Sequence, residues 1–267
     1  MKKYPIGIFD SGIGGLTVAH EIKKNMPNES IIYFGDTKHL PYGEKSKSAI
    51  QDFSIDITKF LISKSCKAII IACNSASSVA SDKIRDLYNI PVFNVIDPVV
   101  EYIVENYSEE KIGVIGTKTT IDSNIYTKEI HKIHKDASIK SLATPLLAPM
   151  IEEGFVNEEI SQKIIYNYLS SQKIKNIQKL ILACTHYPLI ESEIKEFYHG
   201  NIEVLNSSKI ICKYISNMLD ELDLKNKEKS PTYNFYVSNY TKSFENSARF
   251  FFKEDVILKE VSLKSEK

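Results

Sequence analysis

Short apolar runs alternate with longer segments of mixed polarity along this chain. The runs are rich in β-branched residues, which is typical of buried strands. Between two of them, apolar side chains recur near helical spacing at Phe53, Ile57, Phe60 and Leu61. The predicted strands are residues 6–9, 31–36, 67–73, 92–95, 111–117, 179–184 and 233–237. Because parallel strands need crossovers and helices supply them, this alternation predicts parallel sheets covered by helices.

Two of these runs are close copies of each other. Residues 67–75 read KAIIIACNS, and residues 179–186 read KLILACTH. Each copy ends in Ala-Cys followed by polar residues, so one cysteine, Cys73 or Cys184, is placed at the carboxyl end of a buried strand. Open α/β sheets bind ligands at that edge. Two thiols at matching positions indicate one proton-transferring group on either side of a shared cleft.

The similarity between the two halves of the sequence extends beyond these two runs. Residues 111–117 resemble the opening strand and its glycine turn, so the second half starts as the first does. This predicts an α/β fold with two pseudo-symmetric lobes, each a mostly parallel sheet flanked by helices, and an active site in the cleft between them. A polar interruption near 222–230 precedes the late strand, which we expect to return to the first lobe. The predicted lobes are residues 1–97 plus 208–267, and residues 98–207.

Composition and charge favour a globular protein that handles a small molecule. The chain has 267 residues, enough for two modest cores, and 43% of them are hydrophobic. Lys and Arg total 34 and Asp and Glu total 34, so no basic surface for nucleic acid or an anionic membrane is predicted. No apolar run approaches the roughly 20 residues of a membrane helix, so we expect a cytoplasmic location. Four cysteines without disulfide spacing fit a reducing compartment.

The loop after the first strand, residues 10–15, reads DSGIGG. Glycines ahead of a helix expose backbone N–H groups to anions, so this turn can hold a carboxylate while Asp10 faces an amine or a thiol. Nucleotide binding is disfavoured because Thr17 stands where a dinucleotide fingerprint needs its third glycine, and no Gly-Lys-Ser/Thr follows. The alternative is a tight connection in which Asp10 only caps the helix.

The cysteines also have two interpretations. Free cysteine often behaves as a small buried hydrophobe, and this is the interpretation we give to Cys66 and Cys212. Cys73 and Cys184 differ because hydrogen-bonding residues follow each of them, and His186 can assist proton transfer at Cys184. A metal site is disfavoured, since their spacing matches no zinc ligand pattern.

Three other segments offer polar groups to the same edge. Residues 36–43 follow the second strand and contain a Pro-Tyr-Gly turn that can also form a pocket wall. Residues 117–120 bring hydroxyls to a helix start, where they can bind a carboxylate or cap the helix. For Glu152 and Glu153 the choice is between one carboxylate facing the cleft and two solvated helix-end acids.

Taken together, these motifs resemble glutamate racemases, within the aspartate/glutamate racemase superfamily. They run in family order over roughly residues 6–190, and their combination is much more specific than any single motif. One departure is Asn74-Ser75 where the family usually has Asn-Thr, which keeps the hydroxyl and loses a methyl. The motifs are FDSGIGG at 9–15, GDT at 35–37, PYG at 41–43, ACNSAS at 72–77, GTKTT at 116–120 and ACTHYPL at 183–189.

The resemblance implies cofactor-independent interconversion of L- and D-glutamate, the D form supplying peptidoglycan. In such enzymes one cysteine thiolate removes the α-proton and the other thiol protonates the opposite face. By the family pattern, Cys73 acts on D-glutamate with Asp10 assisting, and Cys184 acts on L-glutamate with His186 and Glu152 assisting. The positions expected to bind substrate are Asp10, Ser11, Pro41, Tyr42, Gly43, Asn74, Ser75, Thr117, Thr119, Thr185 and His186.

The same resemblance implies glutamate as the small-molecule partner, no cofactor, no metal and a homodimer. No motif presents an obvious Schiff-base lysine for pyridoxal phosphate. Three alternatives remain, namely racemisation of aspartate or a related amino acid, a mainly non-enzymatic role such as binding DNA gyrase, and thiol redox chemistry. The last usually needs a Cys-x-x-Cys pair, and neither candidate cysteine is so placed.

Overall fold

The computed structural model describes residues 2–107, 109–227, 230–252 and 256–263, in which successive strands are separated by one or two α-helices. The strands are β1 (Ile6–Asp10), β2 (Ile31–Gly35), β3 (Ala68–Ile71), β4 (Val92–Asn94), β5 (Ile112–Gly116), β6 (Ile139–Ala143), β7 (Lys179–Ala183), β8 (Glu203–Leu205), β9 (Tyr233–Val237) and β10 (Leu258–Glu260). The helices are α1 (Leu16–Asn25), α2 (Lys47–Ser63), α3 (Asn74–Leu87), α4 (Asp97–Asn106), α5 (Lys118–Asp122), α6 (Ile125–Ile133), α7 (Leu147–Glu152), α8 (Glu159–Leu169), α9 (Glu191–Phe197), α10 (Ser207–Glu221) and α11 (Lys242–Phe252). Among the described residues, no helix combines the length and the apolar character needed to cross a membrane.

The strands form two sheets, and the strand pairs in both are parallel. The larger sheet has the order β10-β9-β2-β1-β3-β4, and the smaller has the order β6-β5-β7-β8. The arrangement β2-β1-β3-β4 is therefore repeated as β6-β5-β7-β8. This confirms the predicted α/β fold of two pseudo-symmetric lobes. The late strand β9 pairs with β2 in the larger sheet, with Phe235 opposite Tyr33.

Each repeated strand ends shortly before its cysteine. β3 ends at Ile71, and Cys73 is the residue that precedes α3. β7 ends at Ala183, and the Cys184 carbonyl accepts a hydrogen bond from the backbone N–H of Tyr187 in the following turn. The predicted runs extend past these ends because apolar character reports burial and not strand pairing. Ala72, for example, is fully buried although it lies outside the strand.

The centre of the larger sheet is buried on both faces. Ile70 of β3 contributes to the core beneath α1, whereas Ile69 and Ile71 contribute to the core beneath α2 and α3. Helices cover both faces of a parallel sheet, so a central strand has no polar face. This is why the run reads as continuously apolar and not as an alternating pattern.

One apolar core extends from the larger lobe into the smaller one. It contains Ile8 of β1, Val114 of β5 and Ile181 of β7, together with Ile215 and Leu219 of α10. α10 packs against both α1 and α4. The two sheets are thereby held facing each other, which brings the carboxyl ends of their central strands to a common cleft.

Candidate active site

A cavity of about 190 Å³ lies where the carboxyl ends of the two sheets meet. Cys73 lines it from the larger sheet and Cys184 from the smaller one, and each residue is 5% exposed. Asp10 and Thr119 are not among the residues that line the cavity. The predicted site residues that line it are Ser11, Pro41, Tyr42, Gly43, Cys73, Asn74, Ser75, Thr117, Glu152, Cys184, Thr185 and His186.

Cys73 lies in a buried position with a carboxylate nearby. Its Sγ is 3.7 Å from Ser11 Oγ, to which it can donate a hydrogen bond. Burial and then the negative charge of Asp10 raise the pKa of the Cys73 thiol to about 12, against the opposing effect of hydrogen bonds from Ala76 and Ser11. Near neutral pH, Cys73 is therefore a protonated thiol.

Asp10 ends β1 and links the first loop to the segment that follows β7. Its Oδ1 accepts hydrogen bonds from the Gly12 backbone N–H at 2.7 Å and from the Ser11 hydroxyl at 3.2 Å. Its Oδ2 accepts a hydrogen bond from the Thr185 hydroxyl at 2.9 Å. Burial raises the pKa of Asp10, while the positive charge of His186 and the hydrogen bonds from Gly12 and Thr185 oppose that rise. The carboxylate thus reaches the cavity through Ser11 and Thr185.

Cys184 has an imidazole and a carboxylate beside it. Cys184 Sγ lies 3.5 Å from His186 Nδ1, and His186 Nε2 lies 2.5 Å from Glu152 Oε1. Burial alone lowers the pKa of His186, but the charge of Glu152 and the hydrogen bond to Cys184 outweigh it, so the pKa lies well above its usual value. His186 is therefore an imidazolium near neutral pH, and it donates one hydrogen bond to each neighbour. The charge next to Cys184 is opposite to the charge next to Cys73.

Hydroxyl groups join the lobes across the cavity. Ser75 Oγ of α3 and Thr117 Oγ1, directly after β5, lie 2.8 Å apart and come from different lobes. Thr117 also caps α5, since its side chain accepts a hydrogen bond from the backbone N–H of Thr120. Asn74, which also lines the cavity, accepts a hydrogen bond at Oδ1 from the Tyr126 hydroxyl at 2.7 Å. Thr117 therefore both caps α5 and lines the cavity.

The Pro-Tyr-Gly segment forms a wall that the other lobe holds in place. Thr119 Oγ1 lies 3.1 Å from the Gly43 carbonyl and 3.3 Å from the Tyr42 carbonyl. The Tyr42 hydroxyl donates a hydrogen bond to Asp36 Oδ2 at 2.5 Å. Thr119 thus contacts the backbone of this wall without lining the cavity itself.

The loop at residues 10–15 requires glycine at position 14 because the second lobe packs closely against it. A Cβ atom on Gly14 would lie 2.5 Å from His186 Nδ1 and 2.6 Å from Thr185 Oγ1. Such distances are sterically forbidden, so only glycine admits this approach. The glycine-rich turn therefore serves the contact between the lobes.

Some residues at the site have no clear signal in the sequence. Leu40, Ala148 and Pro149 add apolar walls, which carry no distinctive chemistry that a motif could reveal. Glu153 is different, because the sequence already presented it with Glu152 as a candidate, and both residues line the cavity. Thr17, conspicuous in the sequence only as a departure from a nucleotide fingerprint, places its Oγ1 3.1 Å from the Thr185 carbonyl. It therefore supports the segment that carries Cys184.

The arrangement suits proton transfer at two sulfur atoms. None of the described residues that line the cavity is a lysine or an arginine, so hydroxyl, amide and backbone N–H groups are the donors left for a carboxylate ligand. No group of three or more His, Cys, Asp and Glu side chains within the described ranges is placed to hold a metal ion. A thiol and a cysteine paired with imidazolium face one cavity, which is an arrangement for acid–base chemistry.

Known proteins are similar to this chain over nearly its whole length. A family model described as Asp/Glu/hydantoin racemase matches residues 16–215. The glutamate racemase of Neisseria meningitidis is 38% identical over 252 residues, which cover 94% of this chain and 93% of that protein. The glutamate racemase of Sulfurihydrogenibium sp. is 41% identical over 226 residues, covering 84% of this chain and 86% of that protein.

Two solved structures share the architecture. Glutamate racemase from Francisella tularensis in complex with D-glutamate superposes with a TM-score of 0.92 at 40% identity, covering 98% of this chain and 99% of that one. Glutamate racemase isoform RacE1 from Bacillus anthracis superposes with a TM-score of 0.94 at 33% identity, covering 99% of this chain and 100% of that one.

Proposed function

The chain belongs to the Asp/Glu/hydantoin racemase family, which makes it an isomerase, and we propose that it interconverts L- and D-glutamate by proton transfer at Cys73 and Cys184 without a cofactor. The observation that carries this proposal is that the two cysteines line one small cavity from opposite lobes. The relative from Francisella tularensis, 40% identical, has D-glutamate bound. Glutamate is therefore the substrate that we propose for this chain.

Starting from L-glutamate, the Cys184 thiolate takes the α-proton. The electron pair of the broken C–H bond stays on the substrate as a carbanion, and the Cys73 thiol then donates its proton to the opposite face. The product is D-glutamate, with Cys184 left as a thiol and Cys73 as a thiolate. The reverse reaction begins from that state, so each cysteine serves as base in one direction and as acid in the other.

The neighbouring groups assist each proton transfer. The imidazolium of His186, held by Glu152 at 2.5 Å, stabilises a thiolate on Cys184. On the other side, the Ser11 hydroxyl lies between Cys73 Sγ and the Asp10 carboxylate, with distances of 3.7 and 3.2 Å. A proton can therefore move from Cys73 through Ser11 toward Asp10.

The carbanion needs stabilisation because an α-proton is far less acidic than a thiol of pKa about 8.5. Preorganised donors in a cavity that excludes water supply such stabilisation. We assign that role to side chains that line the cavity and come from both lobes, namely Ser11, Asn74, Ser75, Thr117 and Thr185.

Hydrogen exchange in D₂O separates the two half-reactions. The wild-type protein, freed of metal and pyridoxal phosphate, should exchange the α-proton of both enantiomers and abolish the optical activity of L-glutamate. Cys73→Ala should still exchange the L-enantiomer and Cys184→Ala the D-enantiomer, with racemisation reduced by about 10²- to 10⁴-fold in each. The measurements are proton NMR of the α-position and circular dichroism of the solution.

Cys66→Ala is the matched control, because Cys66 is also buried but lies outside the cavity. It should racemise as the wild type does. Racemisation at the wild-type rate by either active-site variant would overturn the two-cysteine mechanism. Faster exchange of aspartate than of glutamate by the wild type would overturn the substrate assignment.

We also propose that the D-glutamate formed serves peptidoglycan synthesis, as the resemblance implies. The same variants test this role in a bacterium that requires external D-glutamate for growth. The wild-type gene should restore growth without D-glutamate, and the two active-site alanine variants should not. Rescue by both variants would instead favour a non-enzymatic role.

A further inference from the structure

One peptide group in the loop at residues 10–15 is hydrogen-bonded at both ends to side chains from other segments of the chain. Its carbonyl oxygen, on Gly12, accepts a hydrogen bond from the Tyr33 hydroxyl at 2.9 Å. Its N–H, on Ile13, donates to Glu152 Oε1 at 3.2 Å. Because a trans peptide is planar and its C=O and N–H point in opposite directions, a contact that fixes one end also directs the other. Tyr33 therefore sets the direction of the N–H that reaches Glu152.

The ring and the hydroxyl of Tyr33 have separate surroundings. The residue is fully buried on β2, and its ring lies 6.0 Å from the ring of Phe244 and 6.3 Å from that of Phe235, measured between centroids. Burial, and then the negative charges of Asp10 and Glu152, hold the pKa of the hydroxyl well above its usual value, so the hydroxyl is a donor. Loss of the hydroxyl alone should therefore leave the packing of the ring in place.

The carboxylate oxygen that the loop holds is the one that faces the imidazole beside Cys184. Glu152 Oε1 accepts the Ile13 N–H and also lies 2.5 Å from His186 Nε2. On its other side, His186 Nδ1 lies 3.5 Å from Cys184 Sγ. A Cβ atom on Gly12 would overlap the Glu152 oxygen, so the loop admits this carboxylate because residue 12 is glycine. A loop of the larger lobe thereby places the carboxylate against the imidazole of the smaller lobe.

The preceding peptide of the same loop serves the other sulfur in a different way. The Gly12 N–H donates to Asp10 Oδ1 at 2.7 Å, and the turn itself closes this hydrogen bond between residues two apart. The contact of Ile13 with Glu152 instead spans 139 positions, so it depends on how the loop is held. A change at Tyr33 should therefore affect Cys184 more than Cys73.

We propose that Tyr33 is a positioning residue for the half-reaction at Cys184, because its hydroxyl fixes the peptide group that holds Glu152. That role rests on the proposed racemase function. Tyr33 does not line the cavity, so it acts on the sulfur only through these contacts. The titratable groups that act on His186 are Glu152, Cys184 and Asp10, and of these Glu152 is the one that the peptide N–H holds.

Tyr33→Phe removes the hydroxyl and keeps the ring. Burial lowers the pKa of His186 and the charge of Glu152 raises it, so loosening the hold on Glu152 should lower that pKa. NMR titration of substrate-free protein with labelled histidine measures the change, and His186→Gln assigns the signal. The titration needs no substrate, so its failure and the failure of the racemase proposal are distinguishable.

Hydrogen exchange in D₂O then tests each sulfur separately. In the Cys73→Ala background, where Cys184 acts alone, Tyr33→Phe should slow exchange of the α-proton of L-glutamate by about three- to tenfold through loss of one hydrogen bond. In the Cys184→Ala background, exchange of D-glutamate should change by less than about twofold. An unequal effect on the two sulfurs is the result that a general loss of stability would not produce.

Thr58→Val is the matched control. Thr58 is fully buried on α2 of the larger lobe, its hydroxyl donates to the Ser54 carbonyl at 2.7 Å, and it does not line the cavity. The variant therefore also removes one buried hydroxyl and keeps the side-chain shape. It should leave the His186 titration and both exchange rates unchanged.

An unchanged His186 titration in Tyr33→Phe would overturn the proposal, and so would an equal loss of exchange at the two sulfurs. If Tyr33→Phe does not fold, Gly12→Ala decides, because the added methyl group displaces Glu152 from the same contact. That variant should also lower the pKa of His186 and slow the exchange of L-glutamate. A His186 titration like that of the wild type in Gly12→Ala would equally overturn the proposal.

Discussion

Cys73 and Cys184 occupy equivalent positions in the two lobes, yet the charges beside them differ. Burial and then the negative charge of Asp10 raise the pKa of Cys73 to about 12, so a thiolate is disfavoured there. The Cys184 sulfur lies 3.5 Å from an imidazole whose own pKa is raised. The imidazolium can therefore stabilise negative charge on the Cys184 sulfur, whereas the surroundings of Cys73 favour the thiol, which matches the roles of the two residues in the proposed reaction of L-glutamate.

Alkylation by iodoacetamide near neutral pH should modify Cys184 ahead of Cys73. The thiolate is the reactive form of cysteine, and the raised pKa of Cys73 keeps that residue a thiol near neutral pH. His186→Gln should slow the modification of Cys184, since the neutral amide cannot stabilise the thiolate. Peptide mass spectrometry at several times after addition measures both rates.

Cys66 and Cys212 serve as internal controls for this labelling. Burial raises their pKa values to about 12 and about 11, and neither lines the active-site cavity, so both should stay unmodified in the folded protein. Faster labelling of Cys73 than of Cys184 near neutral pH would contradict the stabilisation of a Cys184 thiolate by His186.

Pairs of short elements from opposite lobes form the walls of the active-site cavity. The 3-10 helix Tyr42–Glu44 of the larger lobe lies against α5 of the smaller lobe. The hydrogen bonds of Thr119 to the Tyr42 and Gly43 carbonyls are partly buried, whereas the Lys118–Glu44 ion pair is about half exposed and contributes little. Thr119 is therefore a positioning residue for this wall.

Thr119→Val should lower kcat/KM for glutamate by about two- to tenfold, because it removes one hydroxyl hydrogen bond and keeps the side-chain shape. Most of the change should appear in KM, since the wall holds substrate and the sulfur atoms are unaffected. Thr119→Ser keeps the hydroxyl and should restore the wild-type values. Steady-state kinetics of the three proteins measures the effect, and a loss of about a hundredfold or more would indicate direct substrate contact instead.

At the scale of the whole molecule, the two lobes share one apolar core. Residues of β1, β5, β7 and α10 belong to the same buried cluster, so neither sheet is covered completely without the other lobe. The opposed cavity walls then depend on the integrity of α10, although that helix does not line the cavity.

The lobes should consequently unfold together in a single transition. Leu219→Ala should lower the free energy of unfolding by about 2–5 kcal/mol, because Leu219 is fully buried in the shared core. Leu222→Ala, near the same helix end but 45% exposed, should change it by less than about 0.5 kcal/mol. Urea titration followed by circular dichroism measures the free energy of unfolding, and hydrogen exchange reports on each lobe separately. Two separate unfolding transitions would contradict the prediction.

The sequence by itself determined seven of the strands that the structure describes, the pseudo-repeat and the matching positions of Cys73 and Cys184, whereas β6, β8 and β10 were not predicted. Those features follow from local burial patterns, and the carboxyl ends of parallel strands meet at one edge whatever the packing details. Strand ends were less accurate, because a residue such as Ala72 is buried without pairing in a strand.

Only the tertiary structure decided which polar groups meet. Asp10 bonds to Thr185 across 175 positions, and Glu152 bonds to His186 across 34, while Thr119 turns out to contact backbone behind the cavity. Such contacts depend on how segments pack within and between the lobes, and sequence spacing carries no information about distances between separately folded segments. The apolar wall residues of the active-site cavity were hidden for the same reason, since their residue types are ordinary and only their juxtaposition is specific.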